Sequence, residues 1–154
     1  MAPYRSGTEH GCLGRDVIEM RVPCEPRFLS VVRLTVAGAA ARAGLGVGEI
    51  DDLKVATSEA CTNALEHAYQ ACAEGACPVV IIRMQVKEGE MRVEVEDEGC
   101  GFEPKRLPKV DPEQRVREEG GLGIYLIHSL MDEVKIESAP GSGTKITMVK
   151  RVAR

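Results

Sequence analysis

Residues 79–97, VVIIRMQVKEGEMRVEVED, carry the clearest structural pattern in the chain. On both sides of a short turn at residues 88–90, apolar residues alternate with polar ones. The alternating apolar residues are Ile82, Met84, Val86, Met91, Val93 and Val95. A period of two places these side chains on one face of a strand pair and the polar ones on the other. The pattern therefore predicts an antiparallel hairpin with one buried face and one face in water.

Upstream of this hairpin, the sequence predicts one strand followed by two helices. Residues 16–23 alternate weakly between apolar and polar, which favours a strand that ends at Pro23. Residues 27–43 are rich in alanine and other apolar residues, which indicates a helix, and the glycines between positions 44 and 48 end it. From about residue 48 to residue 70, the apolar residues fall in one arc of a helical wheel, which predicts a second helix.

Downstream of the hairpin, residues 103–119 show no periodic pattern and contain prolines at 104, 108 and 112. A segment of this length and irregularity is typical of a functional loop, and we expect it to be mobile. A short helix is predicted at residues 122–131, and two strands are predicted at 134–138 and 145–152. We expect the basic residues near the C terminus, including Lys150 and Arg151, to be solvated.

These elements together predict the fold class. Helices on one face of a mixed, mostly antiparallel sheet form a two-layer α/β sandwich of the α+β class. We expect residues 1–16 to form a flexible N-terminal tail and residues 17–154 to form a single domain.

The composition argues against several classes of function. The 154 residues carry 20 basic and 24 acidic side chains, a net charge of −4, and only 3% are aromatic. Without a basic surface or aromatic stacking platforms, we expect no direct binding of nucleic acid. There is no apolar run of roughly 18 residues and no signal-peptide pattern. We therefore expect no membrane contact and a cytoplasmic location, in which the six cysteines are free thiols.

Glu59 and Asn63 are the first candidate functional pair. They are four residues apart on the predicted second helix, so their side chains share one side of it, at the edge of the apolar arc. An asparagine oxygen can bind a hard cation such as Mg²⁺, which also takes phosphate oxygens. A glutamate one turn earlier can orient or deprotonate a nucleophile. The alternative interpretation of Glu59 is an ordinary surface carboxylate, since glutamate is common on helices.

Glycine-containing motifs follow later in the chain. Asp97 ends the predicted hairpin and precedes Gly99 and Gly101. Glycines at these positions allow the backbone to approach a flat ligand closely. The Asp97 carboxylate can accept a hydrogen bond from an exocyclic amine of that ligand. Gly121 and Gly123 open a predicted helix, where backbone N–H groups and the helix dipole favour phosphate. Each motif alone is weak evidence, because glycines are common in turns. The order of the motifs is what carries information.

Taken in this order, Glu-x-x-x-Asn, Asp-x-Gly-x-Gly, Gly-x-Gly and Gly-Thr resemble the motifs of the GHKL (Bergerat) ATPase superfamily. Residues 17–152 are most similar to anti-sigma-factor serine/threonine kinases of the stress-response and sporulation type. The closest matches are residues 58–64, SEACTNA, and residues 121–127, GLGIYLI. The resemblance implies the Bergerat ATP-binding fold, with ATP or ADP and Mg²⁺ as cofactors.

The resemblance also implies roles for individual residues. Glu59 would act on the attacking hydroxyl, Asn63 would coordinate Mg²⁺ and Asp97 would bind the adenine amino group. Residues 103–119 would form a lid over the nucleotide. The spacing does not determine which of its basic side chains would reach the phosphates. The residues implied to bind the nucleotide are Asn63, Asp97, Gly99, Gly101, Lys105, Arg106, Gly121, Leu122, Gly123 and Thr144.

The activity implied by the resemblance is transfer of the ATP γ-phosphoryl group to a serine or threonine. Members of the family hold an alternative RNA-polymerase sigma factor, phosphorylate an anti-anti-sigma factor and pair as homodimers. Arg33 matches the position at which the family contacts partner proteins. Two alternatives remain open, namely an ATP-binding partner-switch module without catalysis and a GHKL kinase whose target is unrelated to sigma factors.

Overall fold

The computed structural model describes residues 16–71, 78–99 and 121–153. In chain order, its elements are strand β1 (Asp16–Pro23), a 3-10 turn (Pro26–Phe28), and helices α1 (Leu29–Arg42) and α2 (Val47–Ala71). They are followed by strands β2 (Val79–Lys87) and β3 (Glu90–Asp97), helix α3 (Gly121–Leu130), and strands β4 (Glu133–Ser138) and β5 (Thr144–Arg151). The predicted loop at residues 103–119 lies outside the described residues.

The strands form a single sheet in the described part of the chain, in the order β1-β2-β3-β5-β4. All four pairings described there are antiparallel. The predicted hairpin is confirmed, with Met84 opposite Val93 and Lys87 opposite Glu90. Strand β5 lies between β3 and β4, so the ends of three strands meet where Asp97, Thr144 and Ser138 are aligned. The predicted α+β fold is confirmed.

The hydrophobic core lies between the helices and one face of this sheet. Helix α1 packs on β2, whereas α2 packs on β3 and β5. The apolar arc predicted for α2 is buried from Leu53 to Leu65, and full burial of each large side chain, such as Leu53, contributes about 1.5–3 kcal/mol. The sheet contributes its alternating apolar residues, and those of β2, β3 and β5 that are at most 2% exposed are Val80, Ile82, Met84, Met91, Val93, Val95, Ile146 and Met148.

Helix α1 differs slightly from its prediction at its start and ends where glycine requires it. Pro26–Phe28 forms a 3-10 turn, so the α-helix begins at Leu29 rather than at residue 27. At its C terminus, Gly44 has φ of +84°, and its N–H donates to the carbonyl of Ala41. This left-handed glycine ends the helix in the usual way, as the predicted break at residues 44–48 requires.

The other face of the sheet is charged and internally paired. Arg83 on β2 donates to Glu19 of β1 at 2.9 Å and to Glu96 of β3 at 2.5 Å. These carboxylates are partly or largely exposed, so such pairs contribute at most about 1 kcal/mol each. In residues 16–71, 78–99 and 121–153, no helix has the length and apolar character needed to cross a membrane.

One expectation about the C-terminal basic residues is wrong. The Nζ atom of Lys150 donates to Asp52 Oδ2 of α2 at 3.0 Å and to the carbonyl of Leu130 at the end of α3 at 2.7 Å. Its side chain is only 14% exposed. Lys150 is two residues after the buried Met148 on β5, so both lie on the helix-facing side of the sheet. Lys150 therefore joins β5 to two helices instead of being solvated.

Candidate functional site

Helices α2 and α3 bring the Glu-x-x-x-Asn motif against the Gly-x-Gly motif. Glu59 and Asn63 are both half-buried on α2, and α3 packs beside them. A Cβ atom added at Gly123 would lie 2.8 Å from Glu59 Oε2 and 3.8 Å from Asn63 Oδ1. Three residues predicted from two separate motifs therefore meet at one place, and only glycine at position 123 leaves the Glu59 carboxylate where it is.

Asp97 ends β3 with its side chain buried on the helix-facing side of the sheet, at 7% exposure. The backbone N–H of Gly99 donates to Asp97 Oδ1 at 2.8 Å. This bond turns the chain immediately after the strand and fixes the carboxylate, because an aspartate accepting from a backbone N–H two residues on closes an Asx turn. The buried Gly99 is thus tied to Asp97.

Thr144 begins β5 directly opposite Asp97 and is also buried. The preceding residue, Gly143, has φ of +72°, and a Cβ added there would lie 2.1 Å from the carbonyl oxygen of Asp97. The backbones of β5 and β3 can approach this closely only because position 143 is glycine. The Gly-Thr motif therefore lies against the end of β3 that carries Asp97.

Ser138, the last residue of β4, completes this cluster and was not predicted. Its Oγ donates to the carbonyl of Gly143 at 3.1 Å and lies 2.8 Å from Thr144 Oγ1. In the sequence, Ser138 occupies the helix-facing position of β4 that follows Val134 and Ile136 by the strand period. A polar residue in such an apolar series was the available signal.

A surface cavity of about 470 Å³ lies at this end of the sheet. Asp97, Ser138 and Thr144 line it together with Glu137 and Lys145, which face the other side of the sheet. Hydrogen bonds from Lys135 and then Lys145 lower the pKa of Glu137 below its ordinary value of 4.5. The cavity wall therefore combines a buried carboxylate and two hydroxyls with an ion-paired rim.

The structure describes only some of the remaining predicted site residues. Leu122 is 45% exposed in the first turn of α3, and Gly121 is the first residue of that helix. Gly101, Lys105 and Arg106 lie outside the described residues. Arg33 is exposed on α1, which packs on α2 and β2 and thus does not belong to the cluster on α2, α3, β3 and β5.

The chemistry available at this site follows from the donor and acceptor groups. Asn63 offers an amide oxygen and Glu59 a carboxylate at the start of α3, where helix N–H groups favour an anion. Asp97 and Thr144 offer buried acceptors that suit a ligand amine. One end of the site thus fits a cation with phosphate, and the other fits a heterocycle that carries a hydrogen-bond donor.

Comparisons with known proteins show the family of the chain. The family model described as histidine kinase-like ATPase domain matches residues 22–150. The serine-protein kinase RsbW of Bacillus subtilis is 43% identical over 141 residues, which are 88% of this chain and 85% of that protein. The RsbW of Staphylococcus aureus is 36% identical over 145 residues, covering 90% and 89% of the two chains.

A crystal structure of the RsbU and RsbW domains of a Mycobacterium tuberculosis protein superposes with a TM-score of 0.63. The match covers 90% of this chain and 32% of that one, and at 20% identity it supports the fold alone. The chain therefore belongs to the histidine kinase-like ATPase family and, within it, to the RsbW serine-protein kinases, which confirms the resemblance to GHKL protein kinases predicted from its motifs.

Proposed function

We propose that the protein binds ATP with Mg²⁺ between α2, α3 and the adjoining ends of β3 and β5, and transfers the γ-phosphoryl group to a serine or threonine of a partner protein. The observation that carries this proposal is the position of Gly123, where an added Cβ would lie 2.8 Å from Glu59 Oε2 and 3.8 Å from Asn63 Oδ1. It supports the proposal because the start of α3, which would bind phosphate, lies close to Asn63 as the proposed cation ligand and to Glu59 as the proposed base.

The residues present fit the cofactors. When bound, ATP supplies the phosphoryl group, and Mg²⁺ held by Asn63 neutralises phosphate charge. Gly121, Leu122 and Gly123 present backbone N–H groups to the phosphates, and the absence of a side chain at Gly123 keeps that approach open. Asp97 accepts from the adenine amino group, with Thr144 beside it. Gly99 holds the Asp97 carboxylate in place.

Glu59 is proposed to orient the attacking hydroxyl and to accept its proton. Glu59 lies one turn before Asn63 and close to Gly123, which supports a role beside the phosphates rather than beside the adenine. General bases of this kind contribute through position, since a proton acceptor must be within hydrogen-bond reach of the nucleophile. Lys105 and Arg106 are proposed as phosphate contacts, and Gly101 as a residue beneath the adenine.

The partners are proposed from the same family assignment. The protein would hold an alternative sigma factor in one state and phosphorylate an anti-anti-sigma factor in another, with Arg33 contacting the partner and two copies forming a homodimer. The exposure of Arg33 on α1 leaves its side chain available for such a contact. The setting of this switch would be the cytoplasm.

The experiment that tests the function combines radiolabelled ATP, Mg²⁺ and candidate anti-anti-sigma proteins with the full chain. We expect acid-stable label on the partner with the wild type, and a loss of about 100-fold or more in Glu59→Ala with ATP affinity retained. Asn63→Ala should lose both Mg²⁺-dependent binding and transfer. Glu66→Ala, an exposed carboxylate on the same helix, is the matched control.

Two results would contradict parts of this proposal. ATP binding without transfer to any partner would favour the non-catalytic partner-switch module. Transfer to a partner that has no connection with a sigma factor would leave the kinase in place and remove the sigma-related assignment. Transfer at the wild-type rate by Glu59→Ala would show that Glu59 is not the base.

A further inference from the structure

The contacts of Ser138 determine which hydroxyl donates in its hydrogen bond with Thr144. Their oxygens are 2.8 Å apart, and Ser138 Oγ is also 3.1 Å from the carbonyl oxygen of Gly143. A carbonyl can only accept, so Ser138 must donate its hydroxyl proton to Gly143. A hydroxyl has a single proton, and Ser138 therefore cannot also donate to Thr144.

The consequence falls on Thr144. The hydrogen bond between the two hydroxyls needs one donor. Since Ser138 donates elsewhere, Thr144 donates its proton to Ser138 Oγ. What Thr144 Oγ1 can offer to a ligand is then an acceptor lone pair and not a proton. Thr144 lies directly opposite Asp97 on the helix-facing side of the sheet, where Asp97 Oδ1 accepts from the backbone N–H of Gly99.

We infer that Ser138 is a positioning residue that fixes Thr144 as an acceptor and thereby helps the site to select a base with an amino group over one with a carbonyl oxygen at that position. This inference rests on the proposed binding of ATP. The sheet register supports it, because Ser138, Thr144 and Asp97 lie in one row across β4, β5 and β3. Thr144 is only 6% exposed and Asp97 only 7%, so water competes little for either group.

The test compares two nucleotides that differ at this position of the purine. ATP carries an amino group at position 6 and an unprotonated N1, whereas inosine triphosphate carries a carbonyl oxygen at position 6 and a proton on N1. Affinities of both, measured by calorimetry with Mg²⁺, give a selectivity ratio for each variant of the full chain. This ratio separates a positioning role from a general loss of stability, which would weaken the binding of both nucleotides alike.

We expect Ser138→Ala to reduce the ATP-to-ITP selectivity by about fivefold to tenfold, the effect of one hydrogen bond. Without Ser138 Oγ as its acceptor, the Thr144 hydroxyl can rotate and donate to the ITP carbonyl. Ser138→Thr keeps the hydroxyl on a strand-compatible side chain and should restore the ratio. Ser129→Ala, which removes an exposed serine hydroxyl from α3, is the matched control.

Thr144→Val provides a second variant in case Ser138→Ala does not fold, because it retains the branched shape and removes the acceptor. It should also lower the selectivity. Wild-type selectivity in both Ser138→Ala and Thr144→Val, with ATP still bound, would overturn the inference and leave the proposed function intact. Failure of the wild type to bind ATP would instead overturn the proposed function, and the inference with it.

Discussion

Gly123 of α3 lies against Glu59 of α2, so closely that a Cβ on the glycine would be 2.8 Å from the carboxylate oxygen Oε2. The two residues are 64 positions apart in the sequence. Because the atom that would be displaced is the far end of a flexible side chain, the contact restricts the position of the carboxylate rather than the packing of the helices. The absence of a side chain at Gly123 thus matters more for the position of the Glu59 carboxylate than for the stability of the fold.

The first prediction separates these two effects with Gly123→Ala. The methyl group displaces the Glu59 carboxylate, and a misplacement of about 1 Å can cost about 100-fold in rate. We expect phosphotransfer to fall by about 10-fold to 100-fold while the free energy of unfolding changes by less than about 1 kcal/mol. Phosphotransfer assays and urea unfolding of the same preparation measure both.

The control for this prediction is Gly48→Ala, because a Cβ at that helical glycine would meet nothing within 4 Å. It should leave the transfer rate unchanged. A Gly123→Ala variant with the wild-type rate would show that the site tolerates the displaced carboxylate.

The second prediction compares Gly143 with Gly141 in the turn before β5. Both have positive φ, of +72° and +79°, so alanine at either site carries a similar backbone penalty of about 1–2 kcal/mol. A Cβ at Gly143 would in addition lie 2.1 Å from the Asp97 carbonyl oxygen, whereas one at Gly141 would meet nothing within 4 Å.

We therefore expect Gly143→Ala to lower the free energy of unfolding by at least about 2 kcal/mol more than Gly141→Ala does, since backbone must move. The Gly143 variant should also weaken ATP binding, because Asp97 moves with its backbone. Urea unfolding and calorimetry measure these effects. Equal destabilisation by the two variants would show that the backbone of β3 at Asp97 can move away from the added methyl group with no loss of stability.

Much of the fold could be predicted because its signals are local. Alternation in residues 79–97 fixed the β2–β3 hairpin, and the apolar arc of α2 identified its buried face. Both patterns depend only on the period of side chains along a strand or helix. The burial of Thr57 on α2 was not predicted, because a polar residue does not contribute to an apolar arc.

The parts that could not be predicted are contacts between distant segments. Nothing in the sequence places β5 between β3 and β4, and this pairing is what aligns Ser138 with Thr144 and Asp97. The partners of Lys150, which are 98 and 20 residues away, depend on the same pairing. The candidate site was predictable as a set of motifs, whereas its hydrogen-bond network required the tertiary structure.

The third prediction concerns Lys150, which holds the end of α3 and the side chain of Asp52. Lys150→Met keeps the length of the side chain and removes the donor. The Leu130 carbonyl then loses its partner at the negative end of a helix dipole, where a cation is favourable. We expect the free energy of unfolding to fall by about 1–2 kcal/mol, measured by urea unfolding at neutral pH.

Lys145→Met on the same strand is the control for Lys150→Met. Its side chain is 37% exposed and its ion pair with Glu137 spans 3.4 Å, so its loss should change stability by less than about 0.5 kcal/mol. Equal effects of the two substitutions would show that the contacts of Lys150 contribute nothing beyond those of a surface lysine.

The fourth prediction is a pH dependence that arises from Cys61. Burial, and secondarily the nearby Cys24, raises the pKa of the Cys61 thiol from its ordinary value of 9.0 to about 12. Since the folded state favours the protonated thiol, this contribution to stability is fully present below pH 9. It is lost as pH rises from 9 toward 12, because the unfolded state then releases the proton and the folded state does not.

Cys61→Ala isolates this contribution, because the lysines and tyrosines that also titrate at high pH are common to both proteins. At pH 8 the wild type should be more stable than the variant, since alanine leaves a small void in the core. That difference should shrink steadily when urea unfolding under reducing conditions is repeated at pH 9.5 and pH 11. A constant difference over this range would show that the Cys61 thiol loses its proton as readily in the folded protein as in the unfolded chain.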